Sequence, residues 1–302
     1  MKTKSAGGLS TQKRTSKVSI AMVGFFDILG FSDRVEKVQT EADLLEIAAT
    51  VGKIRKHFEY RPKEDHVRKL HHVLGKRVLA FSDCIITAVS IHTDFAREQG
   101  LFDTLGSEIL EMAYSQIRSI WQGYFLRGGV DIGYWHYSKD LLVSPALVTA
   151  YKEEQRRACY PVIAISNRLY ALLRNDPGRK CYSKDADPLP DQFSSFQHPD
   201  GGRVRFLNYL RLMAKSVDWQ YDRATYEGYM AAPPESDERS KIMSDGYQRN
   251  LVAFFVRHKE LIVSAFTAAD EKVKAKYRFL ADYHNREARL FLRKRRDIQI
   301  VF

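Results

Sequence analysis

The chain has 302 residues, 44% of them hydrophobic and 28% charged, a composition typical of a globular protein with one substantial core. No apolar run reaches the roughly 18 residues that would indicate a membrane span. The formal net charge of +11 favours anionic partners. The sequence lacks a basic stripe with interleaved aromatic residues, which is the pattern that indicates a nucleic-acid groove. We therefore expect no nucleic-acid partner, and the missing apolar run argues against a membrane-spanning role.

The N-terminal residues and the cysteines indicate the cellular compartment of the protein. Residues 1–18 are basic and rich in Ser, Thr and Gly, without the apolar stretch of a signal peptide, and we predict a disordered leader. Cys84, Cys159 and Cys181 show no metal-type spacing, and at least one of them must stay unpaired. A reducing, cytoplasmic location is therefore expected.

The first elements alternate between apolar runs and helical patterns. Residues 20–31 predict a buried strand that ends in a turn at Gly30. A helix capped by Ser32 is predicted next, with apolar residues at helical spacing as far as Val51. Residues 76–81 and 84–91 predict two strands joined in a hairpin at Ser82-Asp83.

The following elements complete a sheet with flanking helices. We predict a helix over 103–122, a Gly-rich strand over 125–135, a helix over 146–158, a strand over 161–165 and a helix capped by Ser166. Residues 176–204 are interpreted as a long loop, and residues 205–302 as a helical extension. This order predicts an α+β fold with one antiparallel sheet.

Two carboxylates interrupt the apolar strands of this sheet. Asp27 ends the first strand and Asp83 lies at the predicted hairpin tip. Burying an ionised carboxylate is costly unless a cation compensates it. If the first strand lies beside the hairpin, both carboxylates meet at one edge and suggest a shared divalent metal site. Each Asp alone is equally explained as a turn or cap residue.

Three motifs carry a family resemblance, and they are the sequences at 26–31, 81–83 and 127–133. In this order they resemble the catalytic domain of class III nucleotidyl cyclases, over residues 19–175. The resemblance implies a ferredoxin-like, palm-type sheet. It also implies a head-to-tail homodimer with composite sites, which converts a nucleoside triphosphate to its 3′,5′-cyclic monophosphate and pyrophosphate.

The same resemblance implies roles for the residues around the two carboxylates. Asp27 and Asp83 would hold two divalent cations, Mn²⁺ or Mg²⁺, with the Ile28 carbonyl as a further ligand. One cation would activate the ribose 3′-hydroxyl, and the other would hold the triphosphate. The substrate would lie against the segment that follows, with the backbone of Leu29 to Phe31 facing phosphate oxygens. The substrate-binding residues implied there are Phe26, Leu29, Gly30 and Phe31.

Departures from the family pattern concern the base and the transition state. Leu79 and Leu141 stand where purine cyclases carry their base-recognising residues. Val148 replaces the family's Asn, and Lys152 replaces its Arg. Lys152 is therefore the candidate catalytic cation, with Arg156 and Arg157 as neighbouring alternatives and a solvated helix surface as the simpler explanation.

Other segments are similar to the pyrimidine cyclases of bacterial anti-phage (Pycsar) systems, namely residues 144–151, 160–166 and 276–285. That similarity implies cyclic UMP or cyclic CMP as the product, which would activate a separately encoded effector. We expect UTP to be favoured over CTP. Tyr60 and Arg127 are the candidate base contacts. Alternatively, Tyr60 is an exposed helix-end aromatic, and Arg127 pairs with Asp131 or Glu153.

Alternative functions remain open at this point. The chain could be a purine cyclase, or an inactive nucleotide-binding module with the same fold, which the loss of the family's Asn favours. A nuclease or polymerase-like palm that acts on nucleic acid would fit the positive net charge, but the sequence shows no basic groove for such a substrate. His71 and His72 are poor co-ligands, because adjacent strand residues point to opposite faces. Cys84 is expected to pack within the strand pair.

Overall fold

The computed structural model describes residues 18–59, 75–138, 141–218 and 222–302. Residues 1–17 of the predicted leader, Tyr60 and the two adjacent histidines His71 and His72 lie outside the described residues. The predictions made for them therefore stay predictions.

The described strands form one eight-stranded sheet. They are β1 (Val18–Ile28), β2 (Lys76–Phe81), β3 (Cys84–Ser90), β4 (Leu126–Ser138), β5 (Leu141–Val143), β6 (Ile163–Ile165), β7 (Phe193–Gln197) and β8 (Arg203–Leu207). Their order is β2-β3-β1-β4-β6-β8-β7, and β5 pairs with β4. β1 therefore lies in the interior of the sheet, between β3 and β4.

Helices cover both faces of the sheet and make up most of the C-terminal region. The first six are α1 (Ser32–Glu36), α2 (Glu41–Phe58), α3 (Asp94–Gln99), α4 (Leu101–Trp121), α5 (Pro145–Lys152) and α6 (Asn167–Asn175). The others are α7 (Leu189–Gln192), α8 (Tyr209–Ser216), α9 (Arg223–Ala231), α10 (Asp237–Ala268) and α11 (Glu271–Phe291). Among the described helices, none has both the length and the apolar character needed to cross a membrane.

The predicted α+β class is confirmed, and the sheet fits a palm-type fold. One strand pair differs from the expectation of a purely antiparallel sheet, since β4 and β6 run parallel. The physical reason is the connection between them. A parallel neighbour requires a crossover, and α5 supplies it between β4 and β6.

The helix predicted to begin at Ser32 is two helices. α1 ends at Glu36, and α2 starts at Glu41, where Thr40 and Asp43 form a reciprocal capping box. This cap fixes a new helix start, so the apolar periodicity of the sequence runs across a break. Ser32 does not cap α1, because no side-chain hydrogen bond closes its N-terminus. Its hydroxyl is free for the contact described below.

The loop predicted over 176–204 is wrong in its second half. Pro177–Cys181 forms a 3₁₀ turn, and α7, β7 and the first residues of β8 follow. On β8 the side chains alternate, with Val204 and Phe206 buried and Arg203 exposed, which is the pattern of a half-buried strand. The run is only five residues long, and the neighbouring Pro, Ser and Gly residues mask it.

Through β8 the sheet continues into the C-terminal region. β8 pairs antiparallel with β6, so the region beyond residue 205 begins with a sheet strand. One hydrophobic cluster contains residues of α4, β6, β8, α10 and α11. The division into a domain at 19–175 and an extension at 205–302 stays a prediction, although sheet and core cross the boundary.

A buried hydrogen-bonded chain ties α10 and α11 to α8. The Tyr209 hydroxyl lies 2.9 Å from His258 Nε2, and the two Nδ1 atoms of His258 and His284 lie 2.9 Å apart. His284 Nε2 donates to the Ile298 carbonyl at 3.1 Å, since a carbonyl only accepts. Burial lowers the pKa values of both histidines and so favours neutral rings. With neutral rings, His284 Nδ1 accepts from His258 Nδ1, and His258 Nε2 accepts from Tyr209.

We expect this pair to make the protein acid-sensitive. Burial lowers the pKa of His258 well below its usual value, and lowers that of His284 to about 4. The charge of nearby Lys259 also lowers the pKa of His284, and His284 lowers the pKa of His258. The other titratable groups in this packing are the hydroxyls of Tyr209 and Tyr283. Because the unfolded histidines take up protons below about pH 6.5 and the buried ones do not, stability is present above that pH and is lost toward pH 4.

The measurement compares the wild type with the double variant His258→Leu/His284→Leu by chemical denaturation. Between pH 7.5 and 4.5 the wild type should lose at least about 2 kcal/mol of unfolding free energy relative to the variant. The buried carboxyl groups also contribute to the pH dependence of the unfolding free energy, but they do so in both proteins, so the difference between the two proteins reports on the histidines. Parallel pH curves for the two proteins would contradict the assignment of the acid sensitivity to this pair.

Candidate active site

The two predicted carboxylates meet at one edge of the sheet. β1 pairs with β3 so that Asp27 lies opposite Cys84, and Asp83 is the next residue at the hairpin tip. Ligand atoms of Asp27, Asp83 and Cys84 all lie within 4.8 Å of one another. The sequence prediction that the first strand lies beside the hairpin, and brings both carboxylates together, agrees with this geometry.

Two local features hold Asp83 in place. Ser82 has a φ of 50°, the left-handed conformation that the first central position of a tight hairpin requires. The Ser32 hydroxyl then donates to Asp83 Oδ2 at 2.7 Å from the start of α1. The residue that the sequence indicated as a helix cap thus orients a candidate metal ligand instead. Cys84 Sγ lies 3.8 Å from Asp83 Oδ1, so its thiol belongs to the site as well.

Arg127 bridges two acids at the beginning of β4. It lies opposite Asp27 in the strand register, and its Nη2 is 3.3 Å from Asp27 Oδ2 and 2.5 Å from Glu154 Oε1. The Glu154 side chain is 0% exposed, so this ion pair neutralises a fully buried charge. The pairing expected with Asp131 or Glu153 is not observed. Those acids pair with Arg168 and Arg157.

Glu154 reaches Arg127 because the helix changes its winding and because Gly129 lies beneath it. α5 runs into a π-helical turn at Glu153–Arg157, where an α-helix had been predicted to continue to residue 158. A Cβ on Gly129 would stand 2.1 Å from the Ala150 carbonyl oxygen and 2.8 Å from the Glu154 nitrogen. Only glycine allows this turn to lie against β4, and the turn presents Glu154 to the site.

Burial governs the protonation of this cluster. It raises the pKa of Asp27, an effect that Arg127 opposes and Asp83 reinforces. Burial likewise raises the pKa of Glu154, again opposed by Arg127. The pKa of the Cys84 thiol rises to about 12, through burial and then through its two carboxylate neighbours. The site therefore concentrates negative charge in a place where a cation would be strongly stabilised.

The carboxylates open into a cleft of about 560 Å³. Ser32, Gln155 and the charged cluster form its polar end. Its apolar wall consists of Phe25, Phe81, Ile86, Leu147, Val148 and Tyr151. Phe81 and Val148 are more than half exposed, so the wall is accessible from solvent. A space of this size, with convergent polar groups at one end, is typical of a small-molecule site.

None of the residues predicted to bind substrate after the first strand, Phe26, Leu29, Gly30 and Phe31, lines the cleft. The side chains of Phe26 and Phe31 are buried in the core, where Phe26 stacks on Phe58. The Leu29 N–H donates to the Phe125 carbonyl at 3.0 Å, and the Phe31 N–H donates to the Ile28 carbonyl at 3.1 Å. Two of the three amides predicted to face phosphate are therefore already bonded. Gly30, with a φ of 73°, is exposed at the turn.

Other predicted residues lie away from the cleft or outside the described residues. Lys152 is exposed at the end of α5, and it is not among the residues that line the cleft. Arg127 lines it, but next to the carboxylates, a position unlike that of a base contact. Tyr60 lies outside the described part of the chain. Of the residues at the altered family positions, Val148 lines the cleft, and Leu141 is 54% exposed on β5.

The sequence did not indicate that Ser32, Cys84 and Glu154 belong to this site, or that the charge of Lys276 acts on it. Ser32 and Cys84 flank the two motifs and were assigned to a cap and to strand packing. Glu154 belongs to a π-helical turn, for which the sequence offers no simple pattern. Lys276 interacts electrostatically with Asp27, Arg127 and Glu154 from α11, more than a hundred residues further along the chain. No periodicity could connect it with the site.

The residues present fit a divalent cation. Two carboxylates of different strands converge on one point, and the Ile28 carbonyl, which already accepts from Phe31, keeps a second lone pair. Oxygen donors of this kind suit Mg²⁺ and Mn²⁺. Asp27 and Asp83 would hold the ion, with Ile28 in support.

Comparisons with known proteins add a structural likeness. No family model and no curated protein matches the sequence. The fold is similar to a bacterial light-regulated adenylyl cyclase, at 16% identity and a TM-score of 0.39, over 64% of this chain and 91% of that one. It is also similar to the guanylyl cyclase domain of the RhoGC fusion protein of the fungus Blastocladiella emersonii, at 14% identity and a TM-score of 0.38, over 63% and 94%.

A third similar structure is the guanylate cyclase domain of RhGC from Catenaria anguillulae in complex with GTP. It shares 15% identity with this chain at a TM-score of 0.39, over 63% of this chain and 96% of that one. At identities and scores of this size, the likeness does not assign the chain to a family.

Proposed function

We propose that the protein is a metal-dependent nucleotidyl cyclase that converts a pyrimidine nucleoside triphosphate to its 3′,5′-cyclic monophosphate and pyrophosphate. The observation that carries the proposal is the convergence of Asp27 and Asp83 at the polar end of an open cleft. Nucleoside triphosphate chemistry needs clustered carboxylates for its cations, and the sequence motifs around these two residues resemble those of class III cyclases.

Different residues of the cleft would serve cation binding, orientation of the carboxylates and packing of the base. Bound divalent cations would lower the pKa of the ribose 3′-hydroxyl and neutralise the triphosphate. Asp27 and Asp83 would hold those cations, and Ser32 orients Asp83. Arg127 pairs with both Asp27 and Glu154, and its positive charge offsets the repulsion between the two carboxylates. The apolar wall, with Phe25 and Tyr151 in edge-to-face contact, offers a surface on which a base can pack.

A pyrimidine substrate is supported by what the base end of the site lacks. The positions at which purine cyclases recognise their base hold Leu79 and Leu141, which present no hydrogen-bonding group. Leu79 packs against the cluster beneath α5, and Leu141 is exposed. UTP is placed ahead of CTP on the similarity to pyrimidine cyclases. The donor to the base carbonyl would come from Tyr60 rather than from Arg127, whose guanidinium is held by two acids.

Action as a homodimer belongs to the same proposal. Lys152 is exposed, and Val148 and Tyr151 on the same helix are 53% and 46% exposed. In a head-to-tail pair Lys152, which does not line the cleft of its own chain, would reach the partner's site as the cation beside the triphosphate. The cyclic nucleotide would then act as a second messenger for a separately encoded effector in anti-phage defence.

An inactive nucleotide-binding module is the second candidate. Val148 in the cleft, where the family carries Asn, favours it, because an apolar side chain cannot support the transition state by hydrogen bonding. A purine cyclase is a third candidate, which the apolar residues at 79 and 141 argue against.

One incubation separates these candidates. The purified protein with Mn²⁺ and an equal mixture of the four ribonucleoside triphosphates should release pyrophosphate and cyclic UMP, or cyclic CMP, detected by mass spectrometry. Parallel samples with EDTA control for the metal. Cyclic AMP or cyclic GMP as the main product would overturn the substrate proposal. Nucleotide binding without any cyclic product would establish the inactive module.

A further inference from the structure

A lysine of the C-terminal region lies next to the candidate active site. α11 packs against the beginning of β4, where the ring centroids of Tyr277 and Phe125 are 6.4 Å apart. Two residues further on, Phe279 stacks on Tyr160 at 3.9 Å. These contacts place the second turn of α11, which contains Lys276, next to Phe125, two residues before Arg127 in the chain. Lys276 precedes Tyr277 in this segment.

Lys276 belongs to the inward stripe of α11. Residues at spacings of four, seven and eleven share one helix face, and here they are Leu280, Tyr283 and Glu287. All three are buried. Lys276 continues this stripe toward the active site and is half-buried. The lysine is therefore directed into the protein.

The two charged residues of this stripe differ in their partners among the described residues: Glu287 at one end is hydrogen-bonded, and Lys276 at the other end is not. Buried Glu287 accepts hydrogen bonds from Arg211 and Arg286. Lys276 makes no hydrogen bond or close ion pair with any residue in the described ranges. It interacts at longer range with Arg127, Asp27 and Glu154, and burial followed by Arg127 lowers its pKa. A half-buried ammonium group without a close partner is costly, and an anion relieves the cost.

Arg127 cannot be that site's free cation, because Asp27 and Glu154 hold its guanidinium. Lys276 keeps its three donors unpaired among the described residues, and its charge interacts with those of Asp27 and Glu154 at longer range. We propose that Lys276 binds the triphosphate of the substrate, so that the C-terminal helix α11 completes the phosphate end of the active site. This inference rests on the proposed function for its ligand, a polyphosphate chain with bound divalent cations.

Binding of inorganic tripolyphosphate tests the inference apart from turnover. Titration calorimetry of the full chain with tripolyphosphate and Mn²⁺ should show an affinity about tenfold weaker in Lys276→Met than in the wild type, since one charge-assisted hydrogen bond is lost. Lys276→Arg should recover most of it. The matched control is Lys274→Met on the same helix, where the ammonium group pairs with Glu271 at 2.7 Å. It removes the same charge and should leave the affinity unchanged.

Each outcome decides between the two claims. Equal affinities for Lys276→Met and Lys274→Met, or no binding of tripolyphosphate to the wild type, would overturn the inference. Lys276-dependent binding without any cyclic product would overturn the cyclase and leave the inference standing. In an active enzyme, Lys276→Met should raise KM for the triphosphate by a similar factor, and a merely structural lysine would lower the thermal midpoint instead. Lys276→Gln provides a second neutral variant if Lys276→Met does not fold.

Discussion

Replacing Asp83 by Asn should abolish cyclic nucleotide formation, with a loss of about a thousandfold or more. The carboxylate is one of two that would hold the divalent cations, and their contribution of several kcal/mol to the barrier corresponds to this factor. Its only described hydrogen-bond donors are Ser32 and the Cys84 thiol, so folding should be little affected. Product formation by mass spectrometry and Mn²⁺ affinity by calorimetry measure the two consequences.

The control for this prediction is Asp94→Asn, which removes the same charge from an exposed position at the start of α3. That variant should keep wild-type activity and Mn²⁺ affinity. Asp27→Asn should behave as Asp83→Asn does in both measurements. Retention of metal affinity and turnover in Asp83→Asn would exclude this pair of carboxylates as the metal site.

Replacing Arg127 by Ala should destabilise the protein by about 3 kcal/mol, because it leaves a buried charge without compensation. Glu154 would lose its only cationic partner within 4 Å among the described residues, and Asp27 would lose its own. Unfolding free energies from denaturant titration, with m-values compared, measure the effect. Arg156→Ala, in the same turn but exposed, should change the free energy by less than about 0.5 kcal/mol.

A double-variant cycle separates the ion pair from general packing. Glu154→Gln should restore much of the stability that Arg127→Ala removes, since the uncompensated charge then disappears. Additive effects of the two substitutions would show that Arg127 and Glu154 do not stabilise each other. In either case cyclic nucleotide formation should be impaired, because Asp27 loses the neighbour that fixes its carboxylate.

The sequence predicted that Asp27 and Asp83 lie close together, because the signals for this arrangement are local. A hairpin needs two alternating apolar runs with a short polar turn between them, and Asp83 occupies that turn. β1 pairs with β3 so that Asp27 lies opposite Cys84, the residue that follows this turn. Ser32 shows where local logic fails. Its sequence context indicates a helix cap, and only the folded chain shows that Asp83 lies within reach of its hydroxyl.

The remaining parts of the site depend on contacts that no local pattern encodes. Glu154 faces Arg127 because a π-helical turn lies over Gly129, and neither the turn nor the contact has a spacing that a sequence displays. Lys276 is brought to the site by the packing of α11 on Phe125 and Tyr160. The strand β8 was missed because five residues between turn-forming neighbours give too short an alternation.

The continuous sheet has a consequence for how such a protein can be built and inherited. Because β8 closes the open side of β6, ending the chain near residue 175 would uncover a strand edge and divide a hydrophobic cluster. We therefore expect that the region beyond residue 205 could not be exchanged between relatives without repacking this strand edge and this cluster.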